Sequence, residues 1–167
     1  MLLGVISDSH DNIEAIRRAA ALFKARRAAA VVHAGDWVAP FSAKALRESL
    51  GDEVKIVGVF GNNEGERVYF MHVASKFGVE ILGDAGVVEL GGRRISLYHG
   101  TYDVLVEAMA RSGMFDVVVY GHTHRVDVRR IGRTLVVNPG ELCGYLTGRR
   151  TAALVDLEGL EAEVVEL

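Results

Sequence analysis

Cysteine and proline are scarce, at one and two residues in a chain of 167. A lone thiol, Cys143, cannot close an internal disulfide, so the fold does not depend on an oxidising compartment. Glutamine is absent and arginine far outnumbers lysine, a bias of heat-adapted or GC-rich sources and only weak support for thermostability. No apolar run approaches the ~18 residues that span a bilayer. Met1–Ile6 lacks a preceding basic region and meets Asp8 almost at once, which predicts a first strand and not a signal peptide. Leu2 stands where myristoylation needs glycine. Positive charge is not in excess either: the formal net charge is −3 and the pI near 6.1, against the basic footprint of a nucleic-acid binder. These absences predict a cytoplasmic protein with no membrane association and no stable nucleic-acid binding.

What is present is ordinary globular material. Hydrophobic residues make up 50% and charged residues 25%, which excludes disorder. A chain of this length buries roughly 68–70% of its unfolded surface. One domain over residues 1–167 is expected. The mean hydropathy of +0.20 is slightly apolar, pointing to a homodimer or homotetramer that covers some surface.

Apolar periodicity divides the chain into alternating strands and helices, then mostly strands. Leu2–Ser7 reads as a strand buried on both faces. Asn12 can cap a helix from Ile13 to about Arg27, with Ile16, Ala19, Ala20 and Phe23 at helical spacing. Strands follow at Ala30–His33 and Val54–Phe60, with helices at Phe41–Ser49 and from about Gly65 to Phe77. Beyond Val79 the strands Val87–Leu90 and Arg94–Tyr98 flank Gly91-Gly92, a hairpin signal. A helix at Val104–Arg111 and strands at Asp116–Tyr120, Val126–Ile131, Thr134–Val137, Ala152–Asp156 and Ala162–Glu166 complete the pattern. A βαβαβ start followed by hairpins implies an α/β protein with two packed sheets and outer helices.

The chemistry-bearing residues sit where strands end: Asp8-Ser9-His10, Gly35-Asp36, Gly61-Asn62-Asn63-Glu64, His99-Gly100 and Gly121-His122-Thr123-His124. Carboxyl ends of neighbouring strands converge on one crevice. In extended backbone, residues i and i+2 point the same way, so Asp8 with His10, and His122 with His124, can each approach one ion together. Carboxylate with imidazole suits manganese, iron, nickel, cobalt or zinc. The set divides into two metal sites with Asp36 as the candidate bridge. Two ions ~3.5–4 Å apart can neutralise phosphoryl oxygens and lower the pKa of a shared water.

The run D-x-H, GD, GN-N, H-G, G-H-x-H resembles the calcineurin-like metallophosphoesterases, closest to their small single-domain phosphodiesterase branch in archaea and bacteria. The likeness extends from Ile6-Ser7-Asp8-Ser9-His10 to Asn138-Pro139-Gly140-Glu141-Leu142-Cys143-Gly144-Tyr145-Leu146-Thr147-Gly148. It implies a four-layer α/β/β/α sandwich of two mixed β-sheets flanked by helices. It also implies that Asp8, His10, Asp36 and His124 hold one metal, and Asp36, Asn62, His99 and His122 a second. The implied cofactors are two divalent ions, manganese or nickel first, with zinc, iron, cobalt or magnesium as alternatives. The implied activity is metal-dependent hydrolysis of small phosphodiesters by a hydroxide bridging the ions, with Asp36, Asn62, Asn63 and His99 as the catalytic group. One departure stands out. Larger members carry G-N-H where this chain has Gly61-Asn62-Asn63. Asn63 can position a phosphoryl oxygen but cannot act as a general acid, a role that contributes typically 10²–10⁴-fold.

Other residues have plainer readings. His33 and His72 are ordinarily structural, His33 having the stronger case for supporting the site. Glu64, Asp11 and Asp103 are available to orient ligand histidines. Asn138-Pro139-Gly140 reads as a turn, and the resemblance places that loop near the metals, with Asn138 or Glu141 as the residue to touch substrate. Cys143 reads as a buried small hydrophobe. Arg129, Arg130, Arg149 and Arg150 either steer an anion or form a solvated face. Two rival functions remain: a phosphomonoesterase or nucleotidase on the same metals, and a non-catalytic interaction module like the metallophosphoesterase-fold subunit of the retromer coat.

Overall fold

The computed structural model describes every residue from Met1 to Leu167. In chain order the elements are β1 (Leu2–Ile6), α1 (Ile13–Ala25), β2 (Ala30–His33), α2 (Pro40–Leu50), β3 (Lys55–Gly58), α3 (Arg67–Lys76) and β4 (Val79–Ile81). They continue with β5 (Ala85–Leu90), β6 (Arg93–Tyr98), α4 (Asp103–Arg111), β7 (Val117–Val119), β8 (Val126–Ile131), β9 (Thr134–Pro139), β10 (Thr151–Asp156) and β11 (Glu161–Glu166). No helix is long and apolar enough to cross a membrane.

The strands form a six-stranded sheet, β11-β10-β1-β2-β3-β4, and a five-stranded sheet, β5-β6-β7-β9-β8. Both are mixed. Strands β1 to β4 run parallel, as do β6, β7 and β9, while β10 and β8 pair antiparallel at the flanks. Continuous apolar runs make this layering stable, because successive side chains supply opposite faces. In β1, Leu3 and Val5 enter the core between the sheets, while Ile6 turns to the core beneath α1, α2 and α3. In β9, Leu135 and Val137 face the other sheet, and Val136 faces α4 with Val106 and Ala110. The result is the expected α/β/β/α stack.

Local signals act as their chemistry demands. The Asn12 side chain accepts from the Ala15 N–H and caps α1, and Pro40 occupies the first turn of α2. Gly91 and Gly92 both take positive φ, as a two-residue hairpin turn requires. Several elements depart from the sequence pattern, among them the strand expected at Val54–Phe60, which spans only Lys55–Gly58, and β5, which begins at Ala85. The helix expected from Gly65 starts at Arg67 because the Glu66 carboxylate caps it. The three-residue edge strand β4 has no sequence counterpart; its pairing to β3 supplies its order.

Candidate metal centre

The parallel strands of both sheets end on the same side of the molecule, and the loops after β1, β2, β3, β6 and β7 meet there. Backbone hydrogen bonds lock these loops together. Asp8 N–H donates to the Gly35 carbonyl, His10 N–H to the Asp36 carbonyl, Gly121 N–H to the His99 carbonyl and Cys143 N–H to the Asp8 carbonyl. Glycine is required where the chains cross most closely. A Cβ on Gly121 would lie 1.8 Å from Ser7 Oγ and 2.6 Å from Asp8 Oδ2, and one on Gly61 would lie 2.1 Å from Asp36 Oδ1.

The convergence is not achieved with extended backbone. Asp8, His10, Asp36, His122 and His124 have φ of 52°, 42°, 58°, 68° and 59°, the left-handed region that non-glycine residues seldom occupy. Such strain concentrates at functional sites, where surrounding structure imposes it. The extended i, i+2 reading is therefore corrected: left-handed turns aim Asp8 and His10 at one cluster and send His122 and His124 to different ones.

The first cluster joins Asp8, His10, Asp36 and His124, whose ligand atoms lie within 4.8 Å of one another. His10 Nε2 is 3.4 Å from Asp36 Oδ2, and His124 Nε2 is 3.3 Å from Asp8 Oδ1. The second grouping centres on Asn62 Oδ1, which lies 3.0 Å from His99 Nε2 and 2.8 Å from His122 Nδ1. Asp36 adjoins both, with Oδ1 3.4 Å from His99 Nε2. Asp36 therefore links the two groupings, which between them hold the seven residues singled out by the sequence.

Asp8 and Asp36 are completely buried and His99 nearly so. Burial raises the Asp8 carboxyl above its ordinary range despite the nearby His99 ring. Burial acts the same way on Asp36, but His99 and two Asn63 donors outweigh it and hold that carboxyl well below the ordinary range. For His99, burial opposes the proton while Asp36 and Asp8 favour it, and the carboxylates prevail. Three buried side-chain atoms, Ser7 Oγ, Asp8 Oδ1 and His10 Nε2, have no hydrogen-bond partner, and the last two belong to the first cluster. Orphaned buried polar atoms are costly, and a divalent cation in this mixed oxygen and nitrogen donor set would satisfy both.

Supporting contacts differ from the sequence expectation. His99 Nδ1 donates to the Ala34 carbonyl at 2.8 Å, which leaves Nε2 facing Asn62 and Asp36. His124 Nδ1 donates to Glu141 Oε2 at 2.7 Å, directing its Nε2 toward Asp8. Glu64, Asp11 and Asp103 orient no histidine. Glu64 accepts the backbone N–H groups of Trp37, Val38 and Gly61, Asp11 accepts from Ser42, and Asp103 accepts from Val104 N–H. His33 is fully buried, stacked on Trp37 at 3.6 Å, and bonded to Ser9 Oγ and Gly35 N–H, so it clamps the first two loops together. Burial holds its pKa well below the ordinary value. His72 is exposed on α3, away from the loops.

Asn63 donates through both its backbone N–H and its side-chain amide to Asp36, each at 2.8 Å. Asn138, expected to touch substrate, is fully buried instead. Its amide donates to the Gly121 carbonyl and to Thr123 Oγ1, and its oxygen accepts from Gly140 N–H. It shapes the His122–His124 loop from behind. Glu141 is likewise buried rather than open to substrate, and was missed as a histidine orienter. Its only sequence signal is a carboxylate beside Asn138-Pro139-Gly140. Cys143 is buried, its thiol donates to Glu141 Oε2, and burial first among several causes pushes its pKa up to about 12.

Comparison with known proteins is consistent with this geometry. A family profile, the calcineurin-like phosphoesterase superfamily domain, matches residues 1–160. The chain is 36% identical over 168 residues to a phosphodiesterase of Methanocaldococcus jannaschii, covering 100% of this chain and 99% of that protein. A solved archaeal phosphodiesterase superposes with a TM-score of 0.92 at 34% identity, covering 100% of both chains. Wild-type Vps29 of Entamoeba histolytica, solved with zinc, shares the fold at a TM-score of 0.64 and 19% identity, covering 100% of this chain and 98% of that one.

Proposed function

The chain belongs to the calcineurin-like phosphoesterase superfamily, and from that premise we propose that it is a divalent-metal-dependent phosphodiesterase acting on small diesters. One observation carries the reading: buried Asp8 Oδ1 and His10 Nε2 lack partners at the point where Asp36 and His124 also converge. Asp8, His10, Asp36 and His124 would hold one ion, and Asp36, Asn62, His99 and His122 a second. When bound, such a pair supplies hydroxide near neutral pH and neutralises phosphoryl oxygens. All of these residues belong to a single domain, residues 1–167.

The chain's own groups then have separate tasks. The Ala34 carbonyl keeps the His99 proton on Nδ1, and Glu141 keeps the His124 proton on Nδ1, so each ring presents Nε2 to the crevice. These rings are held as positioners. Asn63 holds the Asp36 carboxylate between the two groupings and is exposed enough to reach a phosphoryl oxygen. Nothing at position 63 can protonate a departing alkoxide, which favours esters whose leaving group needs little protonation. The interaction-module alternative gives no reason for unpartnered buried polar atoms.

The test is hydrolysis of an aryl phosphodiester and the matching monoester by chelator-stripped protein, with Mn²⁺, Ni²⁺, Zn²⁺ or Mg²⁺ restored singly. Metal-dependent turnover of the diester, lost in Asp36→Asn and His99→Ala, supports the reading. Turnover of the monoester alone would replace it with a phosphomonoesterase. Silence on both from folded, metal-loaded protein would overturn catalysis.

A further inference from the structure

Two clefts of about 230 Å³ each border the metal centre, and their chemistry differs. One adjoins Asn62 and His99 and is walled by Phe60, Tyr98 and Tyr102, its single cation Arg67 paired with Asp84. The other begins at His124 and is lined by Arg125, Val126, Thr147, Arg149 and Thr151. It contains one apolar residue, two guanidinium groups and no carboxylate. Arg149 is neutralised by Glu166, with contacts of 3.0 and 2.9 Å. On the strand β8 that follows Arg125, Arg129 is neutralised by Asp127 and Glu107. Arg125 is exposed and joins no ion pair. Its position is nonetheless set, because its backbone N–H donates to Thr123 Oγ1, itself held by buried Asn138. Thr151, which also lines the cleft, is only 3% exposed. An unpaired guanidinium held by an ordered backbone thus lines a cleft whose wall includes the candidate metal ligand His124.

We propose that this cleft is a subsite for a phosphate monoester group carried on one ester arm of the substrate, with Arg125 as its specificity-determining residue. The proposal rests on the phosphodiesterase reading and narrows it to asymmetric diesters with one anionic arm. Guanidinium is the side chain best matched to phosphate oxygens, through paired donors in one plane. The aromatic cleft beside Asn62 and His99 would take the uncharged arm, so the two clefts also set the direction in which a diester is bound.

The discriminating experiment compares two aryl phosphodiesters, one whose second arm is glycerol and one whose second arm is phosphorylated glycerol, at low and high ionic strength. The expected result is a kcat/KM about tenfold higher for the phosphorylated arm, arising in KM, as one charge-assisted contact provides. That preference shrinks as salt rises. Arg125→Ala brings the ratio to about one, Arg125→Lys retains part of it, and Lys55→Ala, at the amino end of β3 away from the loops, leaves it unchanged. Equal turnover of the two esters by the wild-type protein, or a preference that survives Arg125→Ala, overturns the subsite while leaving the phosphodiesterase standing. Failure to hydrolyse either ester with any metal overturns both.

Discussion

Replacing Glu141 with glutamine isolates one buried carboxylate that serves both the metal centre and the neighbouring loop. Oε1 accepts from Leu146 N–H, Thr147 N–H and Thr147 Oγ1, while Oε2 accepts from His124 Nδ1, the Cys143 thiol, Tyr145 N–H and Leu146 N–H. Both oxygens face only donors. Glutamine must therefore turn its NH₂ toward one of the two groups, and each buried donor left unpaired costs about 1–3 kcal/mol. Charge assistance is lost at the remaining contacts as well. We expect Glu141→Gln to lose about 3 kcal/mol in chelator-treated protein, read by urea unfolding through the fluorescence of Trp37. The affinity for the first metal should fall about 10–100-fold, the usual effect of removing an orienting carboxylate behind a ligand histidine, measured by calorimetric titration of Mn²⁺.

The same carboxylate makes the stability depend on pH. Burial opposes its ionisation, but hydrogen bonds from Thr147, His124 and Leu146 prevail and lower its pKa from the ordinary 4.5 to about 2. A folded-state pKa below the unfolded one stabilises the protein above the unfolded value, and that stability fades as pH falls through the folded one. At about 1.4 kcal/mol per pH unit, the wild type should lose at most about 3 kcal/mol from this group between roughly pH 4.5 and pH 2. Glu141→Gln should lack that component. A variant within about 0.5 kcal/mol of wild type, the range of ordinary surface substitutions, and with unchanged Mn²⁺ affinity would refute the reasoning.

Metal addition itself should stabilise the fold. At about 100 times its dissociation constant an ion adds about 2.7 kcal/mol, which for a chain of this size raises Tm by about 5–10 °C in scanning calorimetry, and Asp36→Asn should abolish most of the rise. Gly121→Ala drives a methyl into Ser7 and Asp8, so thermal unfolding should show a loss of about 1–3 kcal/mol or more, together with weakened Mn²⁺ binding. His33→Ala empties a fully buried site and removes the ring stacked on the single tryptophan. A loss of about 2–4 kcal/mol and a shifted Trp37 emission spectrum are expected.

Much of this protein is legible in its sequence because the relevant information is local. Uninterrupted apolar runs such as Leu2–Ile6 and Val117–Val119 specify strands buried on both faces, and Asn12, Pro40 and Gly91-Gly92 mark ends and turns through their own backbone chemistry. The position of Asp8, His10, Asp36, Asn62, His99, His122 and His124 after strands was enough to predict their convergence, since parallel strands deliver their carboxyl ends to one side. Side-chain direction and pairing were decided elsewhere. Left-handed backbone at Asp8, His10, Asp36, His122 and His124 is imposed by long-range hydrogen bonds such as Asp8 N–H to Gly35 and Cys143 N–H to Asp8. Local preference disfavours it, so no window of sequence could show it. The burial of Asn138, the clamp of Asn63 on Asp36 and the contact of Glu141 with His124 likewise join residues 17 or more positions apart. Order along the chain determined which groups would meet; only packing of the two sheets decided which atom of each group faces the crevice and which is held from behind.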